Sequence, residues 1–240
     1  MTDSVPVVHD GRMESGTTRF KDLCLDALDP KAVAPFWAGA LGLTVEHQDN
    51  GDAVLRGSAP GQTLWINTVP EPKTTKNRVH IDLHSESLET LLALGARPQP
   101  VQHDEDPWTV LDDPEGNDLC AFVRPPDRVP AYKAYELVVD SVDHHAIGQW
   151  WADVFGVELQ HEEGKDWSWL EGVPGFSMEA WVFGLVPEPK TVKNRMHWDV
   201  SGDVAELEAR GATRLHEMPG WTVMADPEGN EFCVFPSAAA

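Results

Sequence analysis

The chain has 240 residues, enough for one large domain or two of ordinary size, and a formal net charge of −22. So acidic a protein is a poor partner for nucleic acid or anionic membrane, because binding either needs a basic footprint. Three scattered cysteines without a CxxC pair favour reduced thiols, and neither a membrane-length apolar stretch nor a signal-peptide pattern is visible, so a cytoplasmic location is expected.

Residues 1–18 show no periodicity and read as a flexible tail. Leu23 to Asp26 is a short apolar strand. Asp29 then caps a helix that has Pro30 at its first position, carries Val33, Phe36, Trp37, Ala40 and Leu41 on one face, and stops at Gly42. Short strands are expected near 44–47, 52–56 and 62–68. A second unit opens with the strand Val79 to Leu83, continues through a helix around 86–94 that ends at Gly95, and finishes with three strands. Asp113-Pro-Glu-Gly-Asn117 supplies the last hairpin turn, with Gly116 available for positive φ.

The whole plan then repeats with a period of about 114 to 117 residues, too long for a solenoid unit and suited to a duplicated domain. VPEPKTTKNRVHID (69–82) returns as VPEPKTVKNRMHWD (186–199), differing at three positions, and WTVLDDPEGNDLCAF (108–122) returns as WTVMADPEGNEFCVF (221–235). Asp143 and Gly156 repeat the helix cap and stop. The reading is therefore domain 1 over 19–124, a proline-stiffened linker over 125–130, and domain 2 over 131–236. Six of the eighteen Lys and Arg residues fall in the two VPEPK…KNR joins. They suit salt bridges that fix how units pack, or an anion site.

These motifs resemble the vicinal oxygen chelate superfamily, which includes glyoxalases, bleomycin-resistance proteins and extradiol dioxygenases. In particular the chain is similar to its glyoxalase-like domain, present here in two tandem copies. The resemblance rests on the Asp-capped helix with FWA…LG (36–42), the VPEPK…KNRxHxD join and the WxVxxDPEGN turn. It implies an α+β fold in which paired βαβββ units curl mixed sheets around a cavity. Catalytic members hold a divalent metal there, using the first strand of each unit and the last strand of the second. Carried over position by position, these places fall on Asp22, His80 and Cys120 in copy one, and on Glu136, His197 and Cys233 in copy two.

Histidine and carboxylate can ligate Zn, Fe, Ni or Mn. The family's usual last-strand glutamate, however, is a cysteine in both copies. Only Glu136 and His197 then remain as ordinary ligands in copy two, and no usual metal site is expected. His80 and His197 are read as polar cavity lining, with metal ligation as the alternative.

Seven of the ten tryptophans lie in the second copy. Trp167 and Trp169 share a strand face and stand in for Ala53 and Leu55, while Trp181 stands where Leu64 does. They suit an aromatic core, or the wall of a pocket for a flat or cationic compound. The expected ligand-binding set is Trp167, Trp169, Trp181, Trp221, His80, Lys193 and Arg195. The function read from this is binding of a small organic molecule, by a monomer or homodimer. The alternative is a lyase, isomerase or transferase of the same superfamily. That enzyme would use a metal, or His197 with Glu136 or Asp199 as an acid–base pair.

Overall fold

The computed structural model describes residues 18–100, 102 and 106–237. The tail expected before residue 18 lies outside them. Thr18 itself is buried, against Gly202.

Four βαβββ units follow one another. The first contains β1 (Arg19–Ala27), α1 (Pro30–Leu41), β2 (Thr44–His47), β3 (Ala53–Arg56) and β4 (Thr63–Thr68). The second contains β5 (Val79–Ser85), α2 (Leu88–Leu94), β6 (Arg97–Pro98), β7 (Thr109–Asp112) and β8 (Asp118–Val123). The third contains β9 (Ala134–Ser141), α3 (His144–Phe155), β10 (Leu159–His161), β11 (Trp167–Leu170) and β12 (Ala180–Leu185). The fourth contains β13 (Met196–Gly202), α4 (Val204–Ala209), β14 (Thr213–Met218), β15 (Trp221–Ala225) and β16 (Glu231–Pro236).

The local signals act as expected. The Asp29 carboxylate accepts from the backbone N–H of Lys31 and Ala32, and Asp143 accepts from Ala146. Gly42 closes α1 at φ 74°, where a side chain is strained, and a Cβ there would also lie 2.0 Å from the Ala131 carbonyl oxygen.

The units build two eight-stranded mixed sheets. The first sheet runs β14-β15-β16-β13-β1-β4-β3-β2 and the second β10-β11-β12-β9-β5-β8-β7-β6. Each sheet thus joins one unit of the first copy to one unit of the second. β1 pairs antiparallel with β13, and β5 with β9. The units of a single copy meet instead on the helix side. Trp37 Nε1 on α1 donates to the Asp113 carboxylate at 2.9 Å, and the Leu28 and Asp29 N–H groups donate to Glu115. Trp151 with Asp226, and Asp143 with Glu228, repeat the arrangement. This explains the repeated tryptophan and DPEGN motifs: they lock a helix of one unit to the hairpin of the next.

The core lies between helices and sheets. Leu23, Leu25 and Ala27 of β1 face it, as do Met196, Trp198 and Val200 of β13, while Asp22, Cys24, His197 and Asp199 alternate onto the opposite face of the sheet. Trp151, Trp181 and Trp198 form its aromatic centre, with rings 4.8 to 5.3 Å apart.

Candidate functional site

The cavity side of the second sheet encloses a space of about 910 Å³. Strand alternation sends His80, Asp82, Cys120, Glu136 and Val138 into it, and the antiparallel register sets Val138 opposite His80 and Glu136 opposite Asp82. Trp167 and Trp169 stand on one flank; Trp108, Phe122 and Tyr135 stand on the other, with the Phe122 ring 5.6 Å from Trp108 and 5.2 Å from Tyr135.

Carboxylates dominate the polar lining: Asp82, Asp118, Glu136, Glu171 and Glu179, against Lys76 as the one Lys or Arg. Asp118 is neutralised by Lys73 at 2.7 Å, and Lys76 by Asp140 at 2.7 Å. His80 Nε2 lies 3.3 Å from Asp82 Oδ1 and 3.7 Å from Cys120 Sγ. Because both contacts use one ring nitrogen, this is no thiol–imidazole–carboxylate relay.

Burial works against the charged form of His80, but hydrogen bonds to Asp82 and Cys120 outweigh it and hold the imidazole well above its ordinary pKa. Burial raises the Glu136 carboxyl, and the Asp82 charge adds to it, bringing it to about 7. The Cys120 thiol is also raised by burial. An imidazole and a carboxyl, both raised above their ordinary values, therefore line the same cavity, groups of a kind able to give and take a proton.

The first sheet carries a different floor. Cys24 faces His197 in the register, and its thiol donates to Asp199 Oδ1 at 3.5 Å. Cys233 neighbours Asp199 on the next strand. Asp22 pairs with Lys21 and accepts from Trp65 Nε1 at 3.2 Å. Burial lowers His197 and raises Asp199 to about 6.

The expected ligand sets are consequently divided. Glu136 lies in the second sheet while His197 and Cys233 lie in the first; Asp22 lies in the first while His80 and Cys120 lie in the second. The carry-over assumed that a copy closes its own cavity, whereas the strands pair across copies. Glu136 accordingly meets neither His197 nor Asp199 as an acid–base pair, and its neighbours are His80 and Asp82.

Two clusters replace the expected sets. Ligand atoms of His80, Asp82 and Cys120 lie within 4.8 Å of one another, and so do those of Cys24, His197 and Asp199. These nitrogen, oxygen and sulfur donors fit a zinc-like divalent ion by type and spacing, and do not make the two-histidine, one-carboxylate face of oxygen-activating iron. Nδ1 of His80 and of His197 is buried with no hydrogen-bond partner among the described residues, so the outer contact that ordinarily orients a metal-bound imidazole is missing.

Of the expected ligand-binding residues, Trp167, Trp169 and His80 meet in the 910 Å³ cavity. Trp169 lies opposite Val182 as Val54 lies opposite Trp65, so its counterpart is Val54, and Ser168 and Leu170 occupy the core-facing places of Ala53 and Leu55. That one-residue difference turns both tryptophans into the cavity. Trp181 faces the core and is fully buried, so it lines no cavity. Trp221 stacks on Phe235 at 5.6 Å on the first sheet. Lys193 pairs with Asp26, and Arg195 donates to the Glu71 carbonyl at 2.6 Å and to Glu115 at 3.3 Å. Both line a separate cleft of about 870 Å³ between the two joins, where salt bridging prevails.

Sequence reasoning missed Asp82, Trp108, Phe122 and Tyr135 in the cavity and Cys24 on the other floor. Asp82 was legible as the counterpart of Asp199, and Cys24 by its alternation with Asp22.

A family model for the glyoxalase-like domain matches residues 22–122 and again 136–235. Among solved structures, glyoxalase I from Zea mays superposes with a TM-score of 0.62 at 12% identity, over 92% of each chain. A Bacillus subtilis protein described as a candidate dioxygenase gives 0.62 at 14% identity, over 95% of this chain and 87% of that one. At such identities the likeness establishes the fold and no activity. No curated protein matches significantly.

Proposed function

Because this chain belongs to the glyoxalase-like domain family, in the superfamily of glyoxalases and dioxygenases, we propose that it binds a flat, cationic organic molecule in the cavity of the second sheet. The observation that carries this reading is the lining. Aromatic rings flank the cavity on both sides, and of the carboxylates that face it Glu171 and Glu179 have no Lys or Arg partner among the described residues, whereas Asp118 is paired with Lys73 and Asp82 lies against His80. Stacking and cation–π attraction favour a planar cation between such walls, and the acidic rim attracts it from solvent. No helix among the described residues is long and apolar enough to cross a membrane.

N-methylquinolinium serves as the probe and neutral naphthalene as the uncharged comparison. The cation should quench tryptophan fluorescence more strongly at equal concentration. Trp169→Ala should weaken its binding about fivefold, the loss of roughly 1 kcal/mol expected for one aromatic wall. Equal affinities for wild type and variant, or a preference for naphthalene, would refute the reading.

A second reading, catalysis on the bound molecule, is supported by one arrangement: Glu136, raised to about 7 by burial and the Asp82 charge, lines the same cavity as His80. Glu136 would take a proton from the ligand while His80 donates one to a developing oxyanion. A divalent ion held by neutral His80, with Asp82 and Cys120, would instead supply a Lewis acid in place of that proton donor.

A further inference from the structure

We propose that His145 and His161 form a surface chelate for one divalent transition ion of the copper–nickel–zinc class, which clips the start of α3 to the end of β10. The two imidazoles stand with ring centres 5.3 Å apart and planes at 64°. Both side chains are exposed, and among the described residues neither ring takes part in a hydrogen bond or ion pair. Neither lines the cavity of the second sheet or belongs to the two clusters of histidine, aspartate and cysteine. The site therefore does not rest on the organic-ligand reading.

The packing of the third unit brings the pair together. A Cβ at Gly148 would lie 2.8 Å from Leu159 Cδ1 and 2.9 Å from Ser168 Oγ, so α3 lies closer to β10 and β11 than a larger residue would allow. His145 sits one turn earlier on the same helix, and residues three apart share a face. The Ser168 hydroxyl donates to the His144 carbonyl at 2.7 Å, and Ser168 faces His161 across the β10–β11 pair. The backbone beneath both imidazoles is thereby pinned before any ion arrives.

Two imidazole nitrogens held at about 2.0–2.1 Å from one ion, with about 90–110° between them, place the ring centres roughly 4.5–5.2 Å apart. The observed 5.3 Å is a small side-chain rotation away from that. Neutral imidazole suits Cu2+, Ni2+ and Zn2+ rather than the oxygen-preferring Mg2+ or Ca2+, and water completes the coordination. The turn after His161, Glu162 to Asp166, carries three carboxylates against Lys165, which favours a cation there. Copy one lacks the pair. Lys31 follows the Asp29 cap as His145 follows Asp143, and His47, which faces Ala53 as His161 faces Ser168, is left as a single imidazole. An edge-to-face ring contact alone would need no ion.

Melting temperatures of the metal-stripped full chain, read with Ni2+ and with EDTA at neutral pH, separate the two cases. An ion that binds only the assembled pair stabilises the fold, by about 3–6 °C once the free ion reaches about ten times its Kd. His145→Lys, which installs the residue that copy one carries, and His161→Gln should each lose most of that rise. His47→Gln should keep it, and Mg2+ at the same concentration should not produce it. No rise in wild type, an undiminished rise in His145→Lys or His161→Gln, an equal loss in His47→Gln, or an equal rise with Mg2+ would each overturn the assignment.

Discussion

Replacing Glu136 by glutamine should stabilise the protein at pH 8 and leave it unchanged near pH 4. Its carboxyl sits at about 7 in the fold, against 4.5 for an ordinary glutamate. Burial is the larger cause and the Asp82 charge the next. The raised value means that the folded state holds its proton where the unfolded chain has released it. Below about 4.5 both states are protonated and the group contributes no difference. Between 4.5 and 7 the unfolded chain ionises freely while the fold resists, so stability falls with rising pH, and above 7 the loss is complete.

A gap of roughly two to three pH units would be worth about 3 kcal/mol at full burial. Glu136 is only half-buried, so screening should reduce this to about 1–2 kcal/mol. For a chain of this size that is about 2–8 °C in melting temperature. Calorimetry of wild type and Glu136→Gln at pH 4, 6 and 8 reads it directly. The melting temperatures should coincide at pH 4 and separate through pH 6, with the variant higher. Parallel curves across the range, or a less stable variant at pH 8, would show that Glu136 does not strain the fold.

Two further outcomes test the architecture. Trp181→Ala should cost about 3–5 kcal/mol in denaturant unfolding, because the ring fills the centre of the core, and a loss below about 1 kcal/mol would contradict that placement. Residues 19–124 expressed alone should elute from gel filtration as a dimer, since β1 and β5 would each lack the strand that covers their edge, and a second copy can supply it; a folded monomer would refute cross-copy pairing.

The duplication, the helix caps, the joins and the family's βαβββ plan were legible because each is written in a local pattern. Asp29 and Gly42 bound α1, and Gly116 and Gly229 take the positive φ that the DPEGN turns need. What no local pattern encodes is which sheet edge meets which. The joins at 69–82 and 186–199 are nearly identical, so β5 and β13 look alike in sequence, yet β13 seats against β1 and β5 against β9. The candidate site inherits that ambiguity: position matching alone groups Glu136 with His197, although they lie in separate sheets. The tryptophan strand shows a second limit. An alignment of β11 with β3 that is off by one residue reverses the face of every side chain, and only the register opposite β12 fixes Trp167 and Trp169 on the cavity side.

Cross-copy pairing also dictates where the two sheets diverge. The second and fourth units contribute the same floor to each: His80, Asp82 and Cys120 in one, His197, Asp199 and Cys233 in the other. The differences come from the first and third units. Asp22, Cys24, Val54 and Trp65 on the first sheet stand where Glu136, Val138, Trp169 and Val182 stand on the second. A longer acid, the loss of a thiol and a tryptophan moved from β4 to β11 together turn a polar, sulfur-bearing floor into an acidic cavity with aromatic walls. One copy cannot specialise a whole sheet face, because each copy supplies half of both sheets. Divergence between the first and third units alone is therefore sufficient to give one chain two sheet faces of different chemistry, while the floor residues stay alike.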